Sequence, residues 1–314
     1  MTGFLIRRTG QSIVVVFGVT LLTFVLTRML PGGVARAILG PKATQPQIHV
    51  FNHANGLDQP APIQYLTYMN QLLHLNLGFS YRLNQSVFDL LRDYLPKTLL
   101  LLGLAYLVAL AVAIPMGILQ AVRRNRASDY LLTSVSFVLY SMPVFWLGLI
   151  LIIVFADQLS LLPAQAPQGY LSDVLGQAPG LILPVATLAL VTIALFSRYM
   201  RSSVLDNLVQ DYVRTARAKG ASERRVLYGH VLRNALIPII TLLGISLPII
   251  ISGALIVEAI FNYPGMGLLF WNSAQTRDYP VLLGVTIVVA VATVVGNLLA
   301  DLFYAVVDPR VRIH

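Results

Sequence analysis

The chain has 314 residues, 57% of them hydrophobic and only 11% charged, with a formal net charge of +9 and a mean hydropathy of +0.75. A soluble domain carries about 25% charged residues. This is therefore the composition of a protein that crosses a membrane several times, and its positive charge belongs to one face of that membrane rather than to nucleic acid. Cysteine is absent, which excludes disulfides, cysteine-ligated zinc, iron–sulfur clusters and thiol nucleophiles.

Arg7 and Arg8 close a short N-terminal segment, 1–8, ahead of an apolar run over 9–31. That run is long enough to cross a hydrocarbon core of about 30 Å. It ends in "RMLPGG" without a small-residue cleavage site, so it reads as an uncleaved signal anchor. The next segment, 32–95, is too polar to span and too long for a plain turn. Within it "PIQYLTYMNQLLHLNLG" (62–78) has apolar residues at helical spacing and predicts a small helical cap. Further apolar runs lie near 96–122, 130–156, 180–199, 236–258 and 281–305. Each is long enough to span, and none alternates as a strand would. The expected fold is an all-α integral membrane protein with six transmembrane helices. The first is the anchor; the other five form a core over 96–308, followed by a tail at 309–314.

Six spans put both termini on one side, and Lys and Arg decide which. With the N-terminus inside, the inner segments hold Arg7, Arg8, Arg123, Arg124, Arg126, Arg198, Arg201, Arg214, Arg217, Lys219, Arg224, Arg225, Arg233, Arg310 and Arg312. The outer segment 157–179 holds no Lys or Arg, and 259–280 holds only Arg277, while 32–95 holds Arg36, Lys42, Arg82 and Arg92 but is long enough for the rule to weaken. The sequence thus predicts an N-in, C-in topology.

No lysine follows a glycine, so there is no Walker site, and no H-E-x-x-H occurs. The five histidines form no ligand cluster. Ionisable groups inside the spans mark ion pathways. Glu258, Arg28 and Asp301 sit near span ends instead, which argues against a carrier with its own proton relay. A chain without a motor of its own borrows energy from a partner.

One polar stretch stands out: "DYVRTARAKGASERRVLYGHVLRNALIP", 211–238. It reads as helix, turn, helix. A first helix over 205–218 has Lys219 at its negative end and Gly220 at the left-handed C′ position. Ser222 caps a second helix with Glu223 in its first turn. Two readings fit: a positive loop lying on anionic headgroups, or a short helix that inserts Leu227 and Tyr228 into another protein, rimmed by Arg224 and Arg225.

This stretch resembles the EAA signature loop of ABC importer permeases, in the version of the dipeptide/oligopeptide permease family, where "ARAKG" precedes an arginine-rich helix and "LRNALIP". The resemblance runs along nearly the whole chain through "RMLPGG" (28–33), "GLDQPAPIQYL" (56–66), "LNLGFSY" (75–81), "YSMPVFWLGLIL" (140–151), "VEAIFNYPGMG" (257–267) and "LFYAVVDPRVR" (302–312). Departures occur too. Arg214 holds the general EAA glutamate position, Thr215 and Ala216 follow it, and Gly33 and Asn76 stand where aspartates are usual.

The resemblance implies a type I ABC importer permease fold and half of a translocation pathway for di/oligopeptides, or alternatively for nickel chelates or another small solute. It implies the plasma (inner) membrane of a bacterium or archaeon as the location. It implies a second homologous permease subunit, two ABC ATPase subunits that bind the ATP and Mg, and an extracytoplasmic substrate-binding protein. No cofactor is expected in this chain, and it is not an enzyme by itself. ATPase coupling falls to Arg214, Ala216, Gly220, Ala221, Ser222, Glu223, Arg224, Arg225, Leu227 and Tyr228. Glu258, Phe261, Pro264, Gly265 and Gly267 are expected at the outer gate or the binding-protein docking site. Ser141, Met142, Ser246, Ser252 and Asn297 are candidates for lining the pathway. The rival readings are an ion-coupled secondary transporter, an intramembrane enzyme and a structural or receptor role.

Overall fold

The computed structural model describes residues 2–29, 33–40 and 42–307. The first helix, α1 (Thr2–Arg28), leads into a distal cap made of α2 (Gly33–Leu39), α3 (Gln45–Ala54) and α4 (Ala61–Leu73). A minimal hairpin follows, β1 (Phe79–Ser80) against β2 (Gln85–Ser86), with Phe79 opposite Ser86. The tails "RMLPGG" and "LFYAVVDPRVR" and the segment 309–314 lie wholly or partly outside the described residues.

The mast of the molecule is α5 (Val87–Val122). It begins nine residues before the expected span at 96, because Val87, Leu90 and Leu91 pack on Met266, Leu269, Val281 and Val285. Its 36 residues reach about 54 Å, more than a bilayer core needs, so the extra turns stand in the distal cap. Its partner is α9 (Ile182–Leu208). Ala109 and Ala113 meet Ala189, Ile193 and Phe196, the small-residue contact that lets spanning helices approach. A Cβ on Gly117 would lie 2.6 Å from the Met200 Cβ and 2.7 Å from the Ser197 carbonyl. That glycine sets the closest approach of the pair.

Between the two lie α6 (Ala127–Ser141), α7 (Val144–Leu151), a π-helical stretch Ile152–Gln158, and α8 (Leu171–Gly176). The single span expected over 130–156 is instead broken: the axis turns by 106° between α6 and α7. Met142 is extended (φ −76°, ψ 130°), as a residue before proline prefers, and Pro143 opens the next helix. At the basic end of α6, Asp129 accepts two hydrogen bonds from Arg201 of α9, each 2.8 Å. This fork clamps α6 to α9.

After α9 come α10 (Asp211–Ala218), α11 (Glu223–Arg225), a π-helical turn Val226–Val231, α12 (Leu232–Ala235) and α13 (Ile237–Ser252). The helix expected at 205–218 is thus two. Met200 and Val204 bury against Ile118 and Ala121 of α5 and carry α9 past its apolar run. The chain then breaks at Val209 and Gln210 before α10 starts. The span expected over 236–258 stops at Ser252, where Gly253 turns the chain at φ +90°. Beyond it lie α14 (Leu255–Ile260), α15 (Met266–Thr276) and α16 (Tyr279–Val307). Among the described residues five stretches are long and apolar enough to span, and the bent pair Ala127–Ser141 plus Val144–Gln158 makes a sixth.

Candidate functional site

The basic stretch folds as a compact helix–turn–helix with its own core. Val213 and Ala216 of α10 pack with Val226, Val231 and Ala235 on Ile118, Met200 and Val204 of α5 and α9. The stretch is therefore built onto the spanning helices. Its turn closes by backbone groups alone. Gly220 has φ +80°, its N–H donates to the Arg217 carbonyl at 2.9 Å, and the Ala221 N–H donates to the Ala216 carbonyl at 3.1 Å. These two bonds define a Schellman motif with Lys219 at the C-cap. Ser222 occupies the N-cap position of α11 but makes no side-chain capping bond. Across the turn Arg217 donates to both oxygens of Glu223 at 2.8 and 3.0 Å, an exposed pair.

The ten expected coupling residues divide by burial. Arg214, Arg224, Arg225 and Tyr228 are exposed, with Arg214 3.4 Å from Asp211. Ala216 is buried, and Leu227 and Ala221 are half-buried against the same core. Leu227 turns toward its own core because the helix phase that places Val226 and Val231 inside draws it in, which leaves Tyr228 as the outward apolar group, 56% exposed. Ala216 has no outward face to offer, and Gly220 and Glu223 shape the turn.

At the opposite end, the expected outer-gate residues are interior. Glu258, Phe261, Pro264, Gly265 and Gly267 are all buried, Glu258 completely. The cause is a knot tied around the Glu258 carboxyl group. One oxygen accepts from the Ala254 N–H at 3.2 Å and the Thr98 hydroxyl at 3.1 Å. The other accepts from the Leu268 N–H at 3.0 Å. Thr98 in turn accepts from the Met266 N–H at 2.7 Å, and the Tyr263 hydroxyl donates to the Lys97 carbonyl at 2.6 Å. Gly265 and Gly267 leave room for the knot: a Cβ would come within 2.5 Å of a Glu258 oxygen at Gly265, and within 2.5 Å of the Leu255 Cα at Gly267. These side chains tie α14 and α15 to α5. Thr98, Lys97 and Tyr263 were invisible as partners in the sequence, since Thr98 and Glu258 stand 160 positions apart. Asp278 is a further distal tie, accepting a short hydrogen bond from Ser80 of the hairpin.

The pathway candidates stand on three separate helices. Ser141, Ser246 and Ser252 donate to carbonyls of their own helices, at 3.1, 2.8 and 3.1 Å. Met142 occupies the break between α6 and α7, and Asn297 is exposed on α16. No cluster of His, Cys, Asp and Glu with metal-binding geometry occurs among the described residues.

Comparison with known proteins bears on this arrangement. The family model described as "Binding-protein-dependent transport system inner membrane component" matches residues 113–313, and the corresponding N-terminal model matches 1–102. The Oligopeptide transport system permease protein AppB of Bacillus subtilis (strain 168) is 42% identical over 315 residues, covering 99% of this chain and 100% of AppB. The Di/tripeptide transport system permease protein DppB of Pseudomonas aeruginosa (strain UCBPP-PA14) is 37% identical over 333 residues, 99% of each chain. Among solved structures, the MetNI methionine ABC transporter in inward-facing conformations matches with a TM-score of 0.55 at 15% identity, over 70% of this chain and 96% of that one. That likeness identifies the type I ABC importer permease fold. The chain belongs to the family of binding-protein-dependent transport system inner membrane components, as a multi-pass permease subunit rather than an enzyme.

Proposed function

We propose that this chain forms half of the translocation pathway of an ATP-driven importer of di/oligopeptides, with both termini in the cytoplasm. Its partners are a second homologous permease, two ATPase subunits that bind ATP and Mg, and an extracytoplasmic binding protein that delivers substrate. Peptide as the cargo rests on the names of the full-length relatives. The coupling role rests above all on one observation: the exposed edge Arg224, Arg225 and Tyr228 stands on a core shared with α5 and α9. A partner that grips this edge moves the spanning helices with it, because the two share buried side chains rather than a flexible tether. Closing of the ATPase pair on ATP then favours one of two arrangements of the spans, a two-state element biased by differential binding.

The test is to purify the tagged chain from its own cell in mild detergent and identify what accompanies it. Two ATPase subunits and a second permease, with ATP hydrolysis stimulated by a peptide-loaded binding protein, are the expected result. Recovery of the chain alone, with uptake driven by an ion gradient, would overturn the reading. Binding measurements on the accompanying binding protein decide the cargo: affinity for peptides is expected, and affinity confined to nickel chelates would reassign it.

A further inference from the structure

A cavity of about 460 Å³ lies between α1, the distal cap and α16, within the range of small-molecule sites, roughly 300–1,000 Å³. Its lining is graded along α1 and α16. On α1, Arg28 is the last helical residue and Phe24 lies one turn deeper. On α16, Tyr279 opens the helix, and Leu283 and Ile287 follow at one and two turns. The shallow wall is polar, with Gln64, Tyr68, Gln71 and Asn76 of the cap. The deep wall is apolar.

Two buried donors at the shallow level lack partners. Arg28 is anchored on its other side: its Nη2 donates to Gln64, and its guanidinium lies 3.9 Å over the Phe24 ring. The Gln64 amide is occupied in turn by the Leu57 carbonyl at 3.0 Å. Nη1 of Arg28 and the hydroxyl of Tyr68 are buried without a hydrogen-bond partner among the described residues. Both residues line the cavity. Burial pushes the Tyr68 hydroxyl well above its usual range, so it stays a neutral donor. Buried donors without partners are costly, and a guanidinium without a carboxylate is more so. Beside them α1 presents Phe17, Leu21, Leu22, Val25 and Leu26 outward, each more than two-fifths exposed. The cavity thus adjoins an exposed apolar face of α1.

We propose that this cavity holds a phospholipid of the leaflet at the distal end of α1. Arg28 and Tyr68 donate to the headgroup phosphate, and the first part of an acyl chain runs down past Phe24, Leu283 and Ile287. An amphiphile is favoured over a wholly soluble anion because the polar-to-apolar order of the lining matches the order of a lipid from headgroup to tail. The lipid would also fill the space between α1 and the core, which α1 otherwise meets mainly along α16.

The test uses the intact transporter, purified in mild detergent, with retained phospholipid extracted and quantified by mass spectrometry. Wild type is expected to keep phospholipid through extensive washing. Arg28→Gln is expected to lower retention by about tenfold or more, and Tyr68→Phe by about two- to tenfold, the ranges for losing a charged and a neutral hydrogen bond. Arg82→Gln, at an exposed arginine outside the cavity, is expected to match wild type. Tyr68→Phe keeps the ring and leaves the test valid should Arg28→Gln disturb folding. Displacement of the retained lipid by millimolar inorganic phosphate would identify a free-anion site and overturn the proposal, as would retention unchanged in Tyr68→Phe. Protection of the cavity by peptide substrate instead of lipid would also overturn it.

Discussion

The two ends of this molecule handle polar groups in opposite ways. At the basic end, the turn around Gly220 is closed by backbone hydrogen bonds, its core is apolar, and its charged side chains point outward. At the distal end, a carboxyl group is taken fully inside and backbone N–H groups gather around it. The contrast separates two jobs. Charges turned outward are free for another molecule, and a charge-bearing group turned inward specifies how its own chain folds. Position in a motif does not tell which: "SERRVLYGH" and "VEAIFNYPGMG" are both landmarks of the family resemblance, yet only the first presents its charged side chains.

Substitution at the buried carboxyl should break the comparison most severely. In Glu258→Ala the Ala254 and Leu268 N–H groups and the Thr98 hydroxyl lose their acceptor. The expected loss is on the order of 3 kcal/mol or more, read as a large fall in the thermal midpoint of the purified complex. Glu258→Gln, which keeps the shape and one acceptor, should lose less. A variant Glu258→Ala as stable as wild type would show that the knot is not what holds the distal end.

Next in size is the turn at the other end. Gly220 has open space around its missing Cβ, so Gly220→Val meets no clash and suffers only backbone strain at φ +80°, roughly 1–2 kcal/mol. The chain should still insert and assemble, while stimulated ATP hydrolysis collapses because the second helix is mis-aimed. Normal coupled transport would sink that account. Tyr228→Ala should sharpen it: thermal stability is expected to stay near wild type, since the side chain is largely exposed, while ATPase stimulation falls several-fold, the size of a modest interface contact of about 1 kcal/mol. The smallest effect is expected at Arg217→Gln. The Arg217–Glu223 pair is exposed, and exposed ion pairs are screened by solvent and salt. Melting should hardly move, and any change in stimulation should shrink further as salt rises.

Local features were readable in advance, and distant ones were not. Gly220 at C′ and Lys219 at the C-cap follow from a helix ending in "AKG", because a Schellman turn needs only neighbouring residues. The membrane class and the spanning runs follow from hydropathy. The break at Met142–Pro143 was present as a proline, but a proline alone does not distinguish a kink from a 106° turn. Helix ends were misplaced where packing overrode composition. Val87 begins α5 in the cap because α15 and α16 cover it, and Met200 and Val204 prolong α9. Burial of Glu258 depended on Thr98 and on a glycine pair that makes room, and nothing near Glu258 in the chain announces that partner. Leu227 and Tyr228 looked equivalent as adjacent apolar residues; only the phase of the helix against its core separates them.

That phase has a consequence for how motion travels. The turn Val226–Val231 is π-helical, so it accommodates one residue more than a plain α-helix over the same rise. Each residue advances a helix by about 100°. The extra residue therefore acts as a gear setting: it fixes the angle at which Arg224, Arg225 and Tyr228 stand relative to the faces of α13 beyond it. Shortening the turn by one residue, at Gly229 for instance, would turn the edge by about a quarter of a revolution or more while leaving its composition almost intact. Val226 and Val231 share a buried core with Ile239 of α13, so packed side chains hold the register between the edge and that helix.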